Sequence, residues 1–284
     1  MARKHRIKFC GAIYHVMARG NRKERIFHDD VDRRRFLNIV AAALEKFGAE
    51  CYVQCLMDNH VHKVIHTPRA NISQVMQHID GLYTQYSNWR HHTTGHVLEG
   101  RYTGIVIDDT CYLRNAIAYV LRNPVEAGLV GHARDWPWSS YRAAMGKASP
   151  QFETLTWLQS LFQADTLDES RRLLDEHVGE NRDDYPDLAR AAAEGPHEFK
   201  RRVRCVIGET LYRAALPRSY RAMARPPLGE VFGGVKRAER RRTIMRAHVV
   251  HGYLLTEIAN HLELHPTTIS RIVNQTGSYR LTRQ

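Results

Sequence analysis

The stretch that decides the fold is Cys51–His66, CYVQCLMDNHVHKVIH. Two runs of apolar and β-branched residues flank Asp58 and Asn59, residue types that favour tight turns, so the pattern predicts a β-hairpin. Alternate residues of a strand point to the same face of a sheet. His60 and His62 are therefore expected to share one face, while Val61 points to the other.

The residues on either side of this hairpin alternate between strand and helix patterns. Strand patterns cover residues 12–18, 51–57, 60–66 and 97–107. Helical spacing covers residues 31–47, 72–89 and 112–121, and Pro124 is expected to end the third helix. The order β-α-β-β-α-β-α predicts an α+β fold with a ferredoxin-like antiparallel sheet and helices packed on one face.

Composition indicates the kind of partner. The 284 residues contain 42 Lys and Arg against 30 Asp and Glu, a formal net charge of +12. A surplus of this size favours a polyanionic partner, most plausibly nucleic acid. The five cysteines are scattered and predict no disulfide framework. Cys51 and Cys55 are expected on one face of their strand, as small core residues.

No segment has the length and apolarity of a membrane span, and the chain starts without a signal-peptide pattern. We therefore expect a cytoplasmic, nucleoid-associated protein with no membrane partner. The oligomeric state is left open between a monomer and a homodimer.

Uneven charge suggests the domain organisation. Residues 165–187 hold nine acidic side chains, whereas residues 235–284 hold nine Lys and Arg against three Glu, which is half of the total surplus. Leu216–Pro227, LPRSYRAMARPP, has the composition of a linker. We expect a first domain over 1–146, a helical extension and linker over 147–227, and a DNA-binding domain over 228–284.

The last of these domains has the spacing of an all-α helix-turn-helix unit. Helical patterns cover 236–251, 255–262 and 266–273, with Ala259 at the expected helix crossing and Glu263 where the turn usually has glycine. Four polar residues of the last helix are then predicted to face the major groove: Thr267, Thr268, Ser270 and Arg271. The alternative is a plain three-helix packing unit.

Two polar pairs have the spacing that phosphoryl-transfer chemistry needs. His60 and His62 can hold one divalent metal ion with a third ligand from elsewhere. Tyr119 and Asn123 lie four residues apart, so on a helix they share a face and can supply a nucleophile and an oxygen ligand for a hard cation. Each pair by itself is equally compatible with packing or surface roles, because the chain has 17 histidines and 13 tyrosines.

The ordered set of motifs resembles the REP-associated tyrosine transposases, a branch of the single-tyrosine HUH endonucleases. The motifs are GAIYHV at 11–16, RGN at 19–21, MDNHVH at 57–62, GRY at 100–102, YVLRNPV at 119–125 and WPWSSY at 136–141. The resemblance covers residues 6–146. Each motif is weak alone, and the set in this order is specific.

The resemblance implies that residues 1–146 form an HUH catalytic domain. In that domain His60 and His62 bind Mg²⁺ or Mn²⁺, Asn123 is the third ligand and Tyr119 is the nucleophile. It implies a single-stranded DNA endonuclease and strand-transferase that forms a 5′-phosphotyrosine and acts on palindromic hairpin repeats. The chain departs from the family pattern at Asp58, where proline is usual, and at Lys63, where an apolar residue is usual.

DNA contacts are predicted outside the metal site as well. The segment RGNRKER follows the first strand, and its Arg19, Asn21, Arg22, Lys23 and Arg25 are expected to clamp DNA near the cut, with a solvated basic loop as the alternative. Arg101 of the GRY motif is assigned to the same role. The aromatic residues of WPWSSY are expected to cap the core, with base stacking as their alternative.

Two further functions compete with the transposase interpretation. One is a non-catalytic DNA-binding regulator built on a transposase scaffold, and the other is a metal-dependent hydrolase that uses water. The presence of His60, His62 and Tyr119 favours the tyrosine enzyme.

Overall fold

The structure is a computed structural model that describes residues 8–107, 110–153, 155–179, 225–236 and 238–275. These residues divide between two compact units, one within Lys8–Ala192 and the other within the part that contains Ala193–Gln284. Of the helical extension and linker predicted over 147–227, residues 154 and 180–224 lie outside the described residues. None of the described helices is long and apolar enough to cross a membrane.

The first unit is built on four strands. They are β1 (Ala12–Arg19), β2 (Glu50–Leu56), β3 (His60–Thr67) and β4 (Thr103–Ile107). Its described α-helices are α1 (Asp30–Phe47), α2 (Ile72–Arg90), α3 (Thr110–Glu126), α4 (Tyr141–Ala144), α5 (Trp157–Phe162) and α6 (Leu167–Gly179). The four strand predictions are confirmed, although β4 is shorter than predicted: before it, Leu98 forms only an isolated bridge to Gly20.

The strands pair antiparallel in the order β2-β3-β1-β4, which confirms the ferredoxin-like sheet. Both faces of the two central strands, β1 and β3, are largely buried, so both faces need cover. Lys63 points to the side of α1, where its Nζ lies 4.3 Å from the centroid of the Phe36 ring. The adjacent His62 points the other way, with its ring centroid 5.5 Å from that of Tyr119 on α3. Helices α1 and α2 lie on one face of the sheet, as predicted. Helix α3, in contrast, covers the opposite face.

A bulge in β2 changes which way its cysteines point. Cys51 pairs with Ile65 and Val53 pairs with Val64, so Tyr52 is an extra residue in the ladder. One extra residue reverses the alternation of a strand. Cys51 therefore lies on the α1 side with Ile65, while Cys55 lies on the α3 side opposite His62. The prediction that the two share a face was wrong, and both are buried as expected.

Helix α3 continues past Pro124, contrary to the prediction that it ends there. Proline removes one backbone donor from a helix, but the ladder resumes at once, since the Ala127 amide donates to the Asn123 carbonyl at 3.0 Å. The Asn123 side chain adds a bond of its own, with Nδ2 donating to the Tyr119 carbonyl at 2.9 Å. The continued helix keeps Asn123 one turn beyond Tyr119 on the same face.

The WPWSSY segment covers the outer edge of β2. The Leu56 amide donates to the Trp138 carbonyl at 2.8 Å, and the Ser140 amide donates to the Gln54 carbonyl at 3.0 Å. The Trp136 indole Nε1 donates to the Leu56 carbonyl at 3.0 Å. An edge strand with unpaired amides invites aggregation, and this segment pairs them. Trp136 and Trp138 are both half-buried at this edge.

The second unit contains four described helices, α7 (Leu228–Phe232), α8 (Arg240–Val249), α9 (Leu255–His261) and α10 (Pro266–Gln275). Ile244, Tyr253, Ile258 and Ile269 are buried in its core together with Ala259, which is fully buried as expected for a helix crossing. Glu263 has φ +54, the left-handed conformation that glycine usually supplies in such a turn.

Candidate functional site

The sheet face under α3 gathers the four residues predicted to carry the chemistry. The ring centroids of His60 and His62 lie 5.0 Å apart, and that of Tyr119 lies 5.5 Å from that of His62. Asn123 Oδ1 lies 3.5 Å from His60 Nε2. The hairpin supplies the histidines through strand alternation, and α3 supplies the other two through its i, i+4 spacing.

The hydrogen bonds of His60 fix its tautomer. Asn59 Nδ2 donates to the Lys23 carbonyl at 3.0 Å, which leaves Asn59 Oδ1 as the acceptor of the bond from His60 Nδ1 at 2.7 Å. A neutral imidazole that donates from Nδ1 keeps a lone pair on Nε2. Burial is the main cause that lowers the pKa of His60; the contact with Asn123 raises it and the nearby Arg19 charge lowers it, and the net lowering favours the neutral ring.

Two lone pairs therefore face each other across the site. Asn123 uses Nδ2 to donate to the Tyr119 carbonyl, so its Oδ1 is the atom opposite His60 Nε2. Neither atom carries a hydrogen to share, and a cation between or beside them satisfies both. This donor set, an imidazole nitrogen and an amide oxygen, fits a divalent metal ion. Among the described residues, no three His, Cys, Asp or Glu side chains form a group that could hold a metal ion.

His62 is held by a residue to which the sequence analysis gave no role. His15, on β1, is 5% exposed and His62 is 2% exposed. His15 Nε2 lies 2.9 Å from His62 Nδ1, and the two rings are nearly parallel, 16° apart. The pairing register of β1 and β3 explains this contact, because His15 lies diagonally across from His62 on the same face of the sheet. Detecting it required the β1–β3 pairing, which the sequence alone does not supply.

The environment of Tyr119 keeps its phenol protonated at neutral pH. Burial raises the pKa of Tyr119 above its ordinary value of 10.0, the Glu126 carboxylate raises it further, and a hydrogen bond with the Asn123 side chain acts in the opposite direction. A phenol in this state is a weak nucleophile without a nearby cation. The edge of its ring contacts His15, with centroids 5.6 Å apart.

The basic segment Arg19–Arg25 lies beside the histidines. Arg19 is the cross-strand partner of His60 and is exposed. The following turn is tied to the β2–β3 hairpin, since the Gly20 amide donates to the Asn59 carbonyl at 2.8 Å. Arg22 and Lys23 are exposed at the tip, Asn21 is half-buried, and Arg25 is exposed with an ion pair to Asp58 at 3.7 Å.

Asp58 explains how the chain tolerates the loss of the usual proline. Its carboxylate forms an ion pair with Arg33, a mostly buried residue of α1, and its carbonyl accepts the Ile26 amide at 2.8 Å. The Arg33 guanidinium also lies over the Phe27 ring, 5.7 Å from its centroid. The turn is therefore held in place by polar contacts.

The remaining predicted DNA contacts are Arg101 of the first unit and four residues of α10 in the second unit. Arg101 is exposed just before β4 in the first unit. Thr267 and Arg271 are exposed on α10, while Thr268 and Ser270 are half-buried on the same helix. Thr267 Oγ1 lies 2.7 Å from His265 Nδ1, and Asn274 Nδ2 donates to Ser270 Oγ at 3.3 Å.

The chain is similar in part to known transposases. No curated protein matches the chain in sequence. One similar solved structure is a REP-associated tyrosine transposase bound to a REP hairpin. The two chains are 18% identical, and the match covers 55% of this chain and 94% of that chain with a TM-score of 0.46. Another, from Deinococcus radiodurans R1 and provisionally named a transposase, is 16% identical over 40% of this chain and 90% of that chain, with a TM-score of 0.30. Residues 8–123 match the family model described as Transposase IS200 like, so this part of the chain is similar to that family.

Proposed function

We propose that the protein is a metal-dependent single-stranded DNA endonuclease and strand-transferase in which Tyr119 forms a 5′-phosphotyrosine. The observation that carries the proposal is the meeting of His60, His62, Asn123 and Tyr119 on one face of the sheet, with His60 Nε2 and Asn123 Oδ1 3.5 Å apart. The match of residues 8–123 to a transposase family supports it, because transposases act on DNA.

His60 and His62 would hold the metal through their Nε2 atoms, with Asn123 Oδ1 as the third ligand. A divalent cation bound there supplies charge stabilisation for the phosphate oxygens during in-line attack. Mg²⁺ or Mn²⁺ suits an amide oxygen ligand.

Cleavage of the strand needs no reactant other than Tyr119 and the DNA itself. Tyr119 Oη forms a bond to the phosphorus, and the bond from phosphorus to the 3′ oxygen breaks. The phenol loses one proton, and the leaving 3′ oxygen gains one to become a 3′-OH. Asn123 orients the phenol through the hydrogen bond that favours its ionised form. Attack by a 3′-OH reverses these steps and rejoins the strand without ATP.

The substrate we infer is a palindromic hairpin with a single-stranded flank. The scissile phosphate has to lie against the histidine face, and an unpaired strand is flexible enough to reach it. Arg19, Asn21, Arg22, Lys23 and Arg25 are proposed to clamp this strand, and their position beside His60 supports that role. Arg101 is proposed to contribute to the same surface.

The test uses hairpin oligonucleotides with genomic palindromic repeats and single-stranded flanks, labelled at either end. With Mg²⁺ or Mn²⁺ we expect a protein–DNA adduct that survives denaturation and keeps the label on the 3′ side of the cut. Addition of EDTA is expected to abolish it. Tight DNA binding with no adduct under any metal would instead favour the non-catalytic regulator, and cleavage without an adduct would favour a hydrolase that uses water.

We propose that the second unit is a helix-turn-helix module that binds duplex DNA such as a hairpin stem, with Thr267, Thr268, Ser270 and Arg271 toward the major groove. Support comes from the α9–α10 pairing, from the left-handed Glu263 in the turn, and from the basic surplus of residues 235–284. The DNA-binding domain would then cover 228–284, beyond the catalytic domain at 1–146 and the extension at 147–227.

Arg271→Ala in the full chain is expected to weaken binding to a short duplex several-fold. The slope of log affinity against log salt should fall by about one, since one phosphate or base-edge contact is lost. Fluorescence anisotropy across a salt series measures both. Arg172→Ala is the matched control, because Arg172 is an exposed arginine already paired with Glu176 in the first unit. Equal effects of the two substitutions would contradict a DNA-facing role for α10.

A further inference from the structure

We propose that His15 is a positioning residue for the metal site: it accepts a hydrogen bond from His62 Nδ1 and so leaves His62 Nε2 free to bind a divalent cation. This inference rests on the proposed function, because it concerns the same metal site. It assigns a role to a residue outside the predicted ligand set. The argument follows from the hydrogen bonds that two neutral imidazoles can form.

The first step is the single hydrogen shared by the two rings. His15 Nε2 and His62 Nδ1 lie 2.9 Å apart, a distance at which one atom must donate and the other accept. If His15 donates, the proton of neutral His62 sits on Nε2 and blocks it as a ligand. If His62 donates, its Nε2 has a lone pair for a metal ion. Only the second arrangement is compatible with metal binding.

The second step is the state of the other nitrogen of His15. His15 Nδ1 is buried and has no hydrogen-bond partner among the described residues. When His62 donates, that nitrogen carries a hydrogen with no acceptor, which is costly in a protein interior. When His15 donates, the same nitrogen is an unsatisfied acceptor, which is less costly. The metal-free pair is therefore expected to prefer His15 as donor, and the bound cation to reverse the direction.

The third step concerns the charge state and the orientation of the His15 and His62 rings. Both rings are almost completely buried, and an imidazolium buried without an anionic partner is costly, so the neutral ring is the state to consider. The Tyr119 ring meets His15 edge-on and also meets His62 edge-on. The rings are thus held between the sheet and α3, and His15 fixes the orientation of His62 as well as its tautomer.

Two variants in the full chain separate this role from simple packing. His15→Phe keeps an aromatic ring and removes the acceptor, whereas His15→Gln keeps an acceptor at a reach similar to that of Nε2. We expect His15→Phe to weaken Mn²⁺ affinity by about tenfold or more, and His15→Gln to stay within about threefold of the wild type. Thermal stability of the metal-free His15→Phe variant is expected to change little, because removal of the unpaired His15 Nδ1 is offset by the lost hydrogen-bond partner of His62 Nδ1.

Mn²⁺ affinity is measured by titration with electron paramagnetic resonance detection of the free ion, without DNA. Wild-type affinity in His15→Phe, or equally weak binding by His15→Phe and His15→Gln, overturns the role of His15 while leaving the metal site intact. A wild type that binds no Mn²⁺ overturns both this inference and the metal in the proposed function, so the two failures are distinguishable.

A measurement on the unaltered protein covers the case in which a variant misfolds. Side-chain ¹⁵N chemical shifts distinguish protonated from unprotonated imidazole nitrogens. With saturating Zn²⁺ as a diamagnetic probe, we expect the His15 hydrogen on Nδ1 and the His62 hydrogen on Nδ1. A His15 that keeps its hydrogen on Nε2 with the metal bound overturns the proposal.

Discussion

Tyr119→Phe is expected to abolish the covalent adduct, with a loss on the order of a thousandfold or more, as when other enzymes lose their nucleophile. Phenylalanine keeps the ring that meets His15 and His62 edge-on, so the fold and the metal ligands should persist. DNA affinity should stay within about twofold, because only one hydroxyl is lost. The adduct is quantified on a denaturing gel, and DNA affinity by anisotropy.

Tyr112→Phe is the matched control, since Tyr112 lies two turns earlier on α3. It should form the adduct at close to the wild-type level. Persistence of the adduct in Tyr119→Phe would assign the nucleophile to another residue. Strand cleavage that is unaffected by Tyr119→Phe would point to water as the nucleophile.

Lys63→Met is expected to stabilise the metal-free protein by about 2 kcal/mol at pH 7. Lys63 is fully buried, and its Nζ has no hydrogen-bond partner among the described residues. Its Nζ lies 4.3 Å from the centroid of the Phe36 ring, and the nearby Cys51 and Asp80 raise its pKa against the larger effect of burial. Methionine has a similar reach, and its sulfur packs well against an aromatic ring. Denaturant unfolding followed by circular dichroism in EDTA measures the difference.

The gain should depend on pH in a defined direction. Burial lowers the pKa of Lys63 from 10.5 to about 8, so between these values the unfolded chain binds a proton that the folded chain does not. The stability that the wild type loses by burying Lys63 is therefore recovered as the pH rises from 8 toward 10.5. We expect the advantage of Lys63→Met to be full below pH 8 and to shrink above it.

Lys46→Met provides the control for a lysine near an aromatic ring. Lys46 is exposed on α1, with its Nζ 5.5 Å from the centroid of the Phe47 ring. Its replacement should change stability by less than about 0.5 kcal/mol and show no matching pH dependence. A Lys63→Met protein that is less stable than the wild type, or a gain that stays constant up to pH 10, would contradict the account of Lys63.

The sequence alone determined the local geometry of the candidate site. The period of two in a strand places His60 and His62 on one face, and the period of 3.6 in a helix places Asn123 over Tyr119. These relations depend only on neighbours along the chain, so the hairpin and both pairs could be predicted before any packing was known. The ferredoxin-like order of strands and helices followed from the same periodicities.

Tertiary structure alone decided the features that depend on contacts distant in sequence. Pairing of β1 with β3 brings His15 to His62, a contact across 47 residues. The bulge at Tyr52 reverses the faces of Cys51 and Cys55, and the Asn123 side chain together with the resumed ladder carries α3 past Pro124. Whether Lys63 reaches solvent depended on where α1 packs. Each outcome is set by the register or packing of remote segments, and local periodicity carries no information about either.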